Sequence, residues 1–341
     1  MRYKYLFFII ALILATTGSI LAATESFWLC FKDSLSRKYL MQIDALGNVV
    51  LPPQKISELG QKQFAGDQAL SFNGNNALNL WFNPLHAGIS RYVLNVRTLE
   101  TKALVQTNQQ PVDTAAFISA TQRKDNNFIS FAKLTNEGRR IAAFPVDVHG
   151  IITGHSWFLS PVLSPLCENI TFRCRGGVSS NGRVAFWTDI HGTRTAELFI
   201  QILGNRGRPK GTPVLVDRIF SRTVIPVIYE SADISDILDS NVRYVVYITA
   251  PPEDDGRPQT IKLQKVDGVN GALIGSPITL FKASIIGQNL KVDRKGRFIV
   301  FTRASINYLA LDATGHASGA PRVILPTFQI GGLDLLPTTL P

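Results

Sequence analysis

The chain is poor in the residues that carry most enzyme chemistry. Its 341 residues include five histidines and three cysteines. The histidines, His86, His149, His155, His191 and His316, are scattered. None stands in a His-x-x-x-His or Glu-flanked pair, which excludes the helical zinc sites. There is no Gly-x-Ser-x-Gly elbow, so no hydrolase nucleophile of that kind is announced. No glycine-rich phosphate loop opens a helix, because helical periodicity is itself nearly absent. Beyond the N-terminal segment, no apolar run is long enough to cross a bilayer. Positive charge is present, at a net +10, but it is spread over Arg139-Arg140, Arg173 and Arg175, Arg206 to Lys210 and Lys291 to Arg297. Without a basic stripe or interleaved aromatics, nucleic acid is excluded as a partner. Solubility or weak attraction to anionic surfaces remains as the meaning of that charge. These absences call for no cofactor and no metal.

The N-terminus is different in kind. Arg2 and Lys4 precede an almost wholly apolar stretch from Tyr5 to Ala15, and Ala22-Ala23 follows a polar break. A charged start, an apolar run and a small-residue exit describe a secretory signal peptide over residues 1–23, leaving one domain over 24–341. An uncleaved N-terminal anchor is the alternative. Export places the domain in a secreted or periplasmic setting. There Cys167 and Cys174, seven residues apart, read as a disulfide rather than a metal site. Cys30, in Phe27-Trp28-Leu29-Cys30-Phe31, reads as a buried free thiol. Asn169-Ile170-Thr171 is a glycosylation sequon whose meaning depends on the host.

The remaining sequence consists of short β-rich runs punctuated by Gly, Pro, Asn and Asp. One turn recurs. It reads Ile43-Asp44-Ala45-Leu46-Gly47, Val146-Asp147-Val148-His149-Gly150, Val266-Asp267-Gly268-Val269-Asn270-Gly271 and Leu311-Asp312-Ala313-Thr314-Gly315. A degraded copy, Leu203-Gly204-Asn205-Arg206-Gly207, keeps the glycines. A period of roughly 50 residues marks a propeller or an array. In the last repeat, strands fall at 288–292, 297–302, 308–311 and 322–325, with the recurring turn after the third. Four antiparallel strands per repeat make a propeller blade. Comparable sets start near 68, 115, 172 and 233; the set near 115 is expected to take its fourth strand from Ile151 onward, the last to open with a strand at 233–238, and 97–100 stands where one turn has lost the motif. The first repeat has room for only three strands. Ile330-Gly331-Gly332-Leu333-Asp334-Leu335 resembles the opening strand 286–292, so the C-terminus is expected to complete the N-terminal blade and close a ring of six.

Asp293-Arg294-Lys295-Gly296-Arg297-Phe298-Ile299-Val300-Phe301, followed by Tyr308-Leu309-Ala310-Leu311-Asp312-Ala313-Thr314-Gly315, resembles the repeat of TolB-type six-bladed β-propellers. Ser180-Asn181-Gly182-Arg183-Val184-Ala185-Phe186, with Asp189 and Gly192, matches its first half. The resemblance extends over most of the chain at blade level. It implies an exported all-β six-bladed propeller with a scaffold or protein-binding role. The additional α/β domain that TolB itself carries is not expected in residues 24–341, which the six blades fill.

In a propeller the default pocket is the central channel, lined by first strands. Polar residues of those strands are Gln68, Ser71, Arg173, Arg175, Asp233, Asp236, Asn289, Lys291 and Asp334, of which alternation lets about half face inward. Arg173, Arg175, Asp233, Asp236, Asn289, Lys291 and Asp334 are the candidate ligand-binding set; no catalytic residue is assigned. Two rival readings stay open. Asp233 and Asp236 would serve a glycan hydrolase or lyase as acid and base, or the channel would hold a cation or small ligand. Trp28, Trp81 and Trp187 each fall in a second strand, where packing between blades is expected. Trp157 is readable as core or as an exposed anchor. The expectation is a non-enzymatic, monomeric binding module for a protein or cell-envelope partner.

Overall fold

The protein is described from a computed structural model. It describes residues 25–33, 37–56, 68–73, 77–82, 89–98, 101–106, 118–121, 127–168, 174–192, 195–220, 228–238, 241–251, 257–284, 286–287, 289–326 and 331–338. The signal-peptide segment, Arg173, the sequon and His86 lie outside them.

The chain forms a six-bladed β-propeller of four-stranded antiparallel blades. Blade one contains β1 (Ser26–Lys32), β2 (Lys38–Asp44) and β3 (Val49–Lys55). Blade two runs β4 (Gln68–Phe72), β5 (Ala77–Phe82), β6 (Ser90–Asn95) and β7 (Thr101–Gln106). Blade three runs β8 (Ser119–Ala120), β9 (Asn127–Thr135), β10 (Gly138–Val146) and β11 (Trp157–Phe158). Blade four runs β12 (Gly176–Val178), β13 (Val184–His191), β14 (Thr195–Ile202) and β15 (Val214–Phe220). Blade five runs β16 (Ile228–Ile234), β17 (Val242–Ala250), β18 (Gln259–Asp267) and β19 (Leu273–Ala283). Blade six runs β20 (Leu290–Val292), β21 (Phe298–Thr302), β22 (Ile306–Ala310) and β23 (Arg322–Leu325). The last strand, β24 (Gly331–Pro337), returns to blade one and pairs antiparallel with β1 from Phe27↔Pro337 to Lys32↔Gly331. The ring is closed by the strand that the sequence assigns to that task. Closure leaves the inner edges of the blades short and sheltered in the channel.

Burial explains why the strands read as they do. Middle strands lie between neighbouring blades and bury both faces: β17, VRYVVYITA, is buried from Arg243 to Ala250. Outer strands are solvated on most positions, as in β3 and β19. Their free edges are interrupted by Pro52-Pro53 and by Gly275 and Pro277, which blunts pairing with a further strand. The apolar core is divided into layers between adjacent blades. One layer joins Phe27, Leu29, Phe31 and Met41 of blade one to Phe298, Val300 and Tyr308 of blade six, so packing closes the ring as well as hydrogen bonding. Trp81 and Trp187 are fully buried, while Trp28 is half-buried at its layer's margin.

Two expectations are corrected. The first strand of blade five is Ile228–Ile234, not 233–238. Tyr229 sits against Tyr247 with ring centroids 5.8 Å apart, which anchors the earlier residues in the sheet. Asp236 then falls in the turn. The fourth strand of blade three does not start at Ile151. Only a bridge, Val146↔Ile152, precedes the two-residue β11. Trp157 is buried there, and its indole N–H donates to Gly207 O of blade four at 2.9 Å. Among the described residues there is no α-helix; a single 3-10 turn spans Pro165–Glu168.

Candidate functional site

Antiparallel blades give the molecule two unlike faces. Turns after first and third strands lie on one, here the turn face. Turns after second strands and the blade-to-blade connections lie on the other, the loop face. The channel runs between them.

The recurring turn builds the turn face. Its Asp side chain accepts N–H groups of its own turn. Asp44 Oδ1 takes Leu46 and Asn48 N–H at 2.9 and 2.8 Å, and Asp147 Oδ1 takes His149 and Ile151 N–H at 2.9 and 2.7 Å. Asp267 and Asp312 do the same in their blades. Those bonds favour the ionised form and hold both carboxyls below the usual range; for Asp312 the Thr314 hydroxyl is the leading cause. In blade two Asn95 fills the role, accepting Arg97 N–H at 2.9 Å, which is why the turn persists there without the Asp. The turn's glycine is buried against the preceding blade. At Gly47 (φ 76°) an added Cβ would lie 2.6 Å from the Tyr308 ring, and at Gly207 (φ 69°) 2.6 Å from Phe128. Tyr308 Oη also donates to Ala45 O at 2.9 Å, as Tyr244 Oη does to Ala313 O at 3.2 Å. The motif therefore joins each blade to its neighbour.

The channel is built differently. First strands have no sheet partner on the channel side, so their outward N–H groups need acceptors. The preceding blade supplies them. Asp334 Oδ2 accepts Leu70 N–H at 2.5 Å, Ser119 Oγ accepts Val178 N–H at 2.8 Å, and Ser231 Oγ accepts Leu290 N–H at 3.2 Å. Asp233 Oδ2 accepts Val292 N–H at 3.0 Å. Lys291 Nζ closes the last seam on Asp334 Oδ1 at 3.0 Å. Burial pushes the Asp233 carboxyl above its ordinary range, against the pull of Lys291 and the Val292 N–H. Two cavities occupy the channel and share Ser119 and Lys291. That toward the turn face is lined by Asp233, Lys291, Arg294 and Asp334. That toward the loop face is lined by Gln68, Arg175, Ser231, Asn289 and Lys291.

Of the sequence candidates, Arg175, Asp233, Asn289, Lys291 and Asp334 thus meet in the channel. Asp236 does not join Asp233: it pairs with Arg294 at 2.7 Å, and burial raises its carboxyl despite that partner. Ser71 turns into its blade, accepting the Trp81 indole N–H at 2.9 Å. Ser119 and Ser231 were not singled out from sequence. A hydroxyl two residues before Asp233, in the same strand, was the available signal.

No known family profile matches the chain, and no curated protein matches it in sequence. Among solved structures it is similar to a thermostable family-43 glycoside hydrolase, at 14% identity and TM-score 0.48, covering 80% of this chain and 99% of that one. It is similar to a protein from Lactobacillus plantarum at 12% identity and TM-score 0.49, covering 92% and 100%. It is similar to a putative 6-phosphogluconolactonase from Bacteroides fragilis at 11% identity and TM-score 0.45, covering 92% and 98%. The likeness is one of fold.

A second cluster lies at the loop-face end of blade four. Cys167 and Cys174 are joined in a disulfide, with Cα atoms 5.1 Å apart. Asp189 Oδ1 lies 3.3 Å from Cys167 Sγ and accepts Ser164 N–H at 2.9 Å. These three residues gather their ligand atoms within 4.8 Å, but a cystine offers no thiolate to a metal. His191 Nε2 is 3.0 Å from Glu197 and 3.5 Å from Asp189, and Arg218 also holds Glu197. The remaining cysteine, Cys30, is buried and free, and burial pushes its thiol up to about 12. It is not a nucleophile at neutral pH.

Proposed function

We propose that this protein is an exported, TolB-like propeller that works as a binding or scaffold module, with the loop-side half of the channel as its ligand pocket. The observation that carries this reading is how the channel carboxylates are used. Asp233 and Asp334 each accept a backbone N–H from the next blade, and Asp334 also holds Lys291. A general acid or base must be reachable by substrate at the reacting atom, and these groups are occupied in closing seams. The polar groups beyond them, Gln68, Arg175, Ser231 and Asn289, suit recognition of a small polar ligand or a partner's side chain. Export is supported by the N-terminal charge-then-apolar pattern and by the cystine, which persists in oxidising compartments.

A hydrolase reading has one observation in its favour. Asp233 is pushed toward its neutral form by burial and lies in the same cavity as Asp334, and a glycan acid–base pair needs one carboxyl that carries its proton. A panel of aryl glycosides and arabinan, incubated with the protein and with Asp233→Asn, separates the two. The binding reading expects no turnover by either. Turnover by the native chain that disappears in a folded Asp233→Asn variant would replace it with the hydrolase.

A further inference from the structure

We propose that the turn face docks on a membrane surface rich in anionic lipid; this builds on the reading that the chain is exported to the cell envelope. The buried glycine and the capping Asp of each recurring turn are architectural, but the tip residues between them are not. In blades one, three and five the tip carries an exposed aliphatic side chain: Leu46 at 56%, Val148 at 45% and Val269 at 61% exposure. In blades two and four it carries an exposed arginine, Arg97 and Arg206, the latter followed by exposed Arg208 and Lys210. In blade six it is Ala313-Thr314, with exposed Lys295 and Arg322 on neighbouring turn and strand. Aliphatic and basic tips therefore alternate over blades one to five. Of the acids of the same turns, Asp44 is buried, Asp147 and Asp267 are half-buried and Asp312 is exposed, and each is engaged by N–H groups of its own turn.

The position of chain entry is an independent observation. Glu25, just before β1, is held on the turn face by Lys295 at 3.0 Å and Arg297 at 2.7 Å. Only residues 16–24 separate it from the apolar run 5–15. Nine residues span at most about 30 Å. Kept as an N-terminal anchor, the alternative to cleavage, that lipid-seeking stretch would join the domain on the face that presents the tips. Three separated aliphatic points do not make the contiguous apolar patch that a protein partner uses. They suit shallow insertion between headgroups, with the intervening arginines on lipid phosphates.

Labelling with an environment-sensitive thiol dye tests this on the full chain, because Cys30 is buried and the other two cysteines are bonded. Leu46→Cys, Val148→Cys and Val269→Cys are compared with Glu137→Cys, an exposed residue between β9 and β10 on the loop face. With phosphatidylglycerol vesicles the first three should shift to the blue and Glu137→Cys should not; phosphatidylcholine should produce little change. Arg97→Glu and Arg206→Glu should each weaken vesicle partition by at least about fivefold. Vesicle binding with silent tips, a shift at Glu137→Cys, or equal response to both lipids would overturn the proposal. Fractionation of host cells tests export separately. A cytosolic protein whose tips still shift would sink export alone, and an exported protein with silent tips would sink docking alone.

Discussion

The turn face and the channel use the same residue type in opposite ways. On the turn face, Asp267 and Asp312 stand in water and accept several short-range N–H bonds, which favours their charge. In the channel, Asp233 accepts a single cross-blade N–H while buried, and burial disfavours its charge. Both arrangements hold the ring together. The first does so through local geometry that a sequence can display, the second through a side chain whose partner lies 59 residues away. The comparison can be tested at each end.

The largest effect is expected where the turn face meets the neighbouring blade. Gly47→Ala combines a positive φ with a Cβ at 2.6 Å from Tyr308, and should cost about 3 kcal/mol. Gly275 also has positive φ (66°) but nothing within 4 Å of an added Cβ, so Gly275→Ala should cost only about 1 kcal/mol of backbone strain. Denaturant midpoints of the two variants measure the difference. Equal losses would mean that the glycines serve φ alone and that the motif does not join blades.

In the channel, Asp334→Ala leaves Lys291 without its carboxylate and Leu70 N–H without its acceptor, at the seam where the last strand completes blade one. Both side chains are mostly buried, so a loss of about 2 kcal/mol is expected. It should come with faster amide exchange in β24 and β4 than in blade four. A uniform change across the ring would argue against a seam-specific role.

How much of this was legible follows from the range of each interaction. The ring of six, the closing strand and the disulfide partners were readable because strand alternation, the turn's Asp and Gly, and a seven-residue Cys spacing are all local. The inward orientation of Gln68, Asp233 and Asp334 was readable only as one half of an alternation. Assigning Asp236 to the channel failed because the strand, with Tyr229 packed on Tyr247, lies earlier in the chain and ends at Ile234, which leaves Asp236 in the turn. Ser119 and Ser231 went unnoticed because a serine acquires its role from the N–H that the next blade presents.

On the turn face a single cap should matter less than a seam. Asp44→Ala removes the acceptor of Leu46 and Asn48 N–H and of the Asn48 side-chain amide, while water can replace part of that set. A loss of about 1 kcal/mol is expected. Asp44→Asn should recover most of it, since the amide oxygen still accepts. No recovery would show that the charge, rather than the geometry, is what the turn requires.

The smallest effect at neutral pH, and the sharpest contrast with the turns, belongs to Asp233. Its folded-state pKa lies above the unfolded value, near 3.9. Such a group favours folding most below its unfolded pKa, and that advantage is lost as pH rises through the folded pKa. Asp233→Asn keeps an oxygen for Val292 N–H and has no charge to bury. Its stability should match the native chain near pH 3.5 and equal or exceed it at pH 7, with the gap widening between those values in urea unfolding. A variant that instead falls progressively behind as pH rises would mean that the ionised carboxylate is favoured by Lys291. The channel would then resemble the turn face in its electrostatics, and the case for a hydrolytic pair, which needs Asp233 protonated, would fall with it.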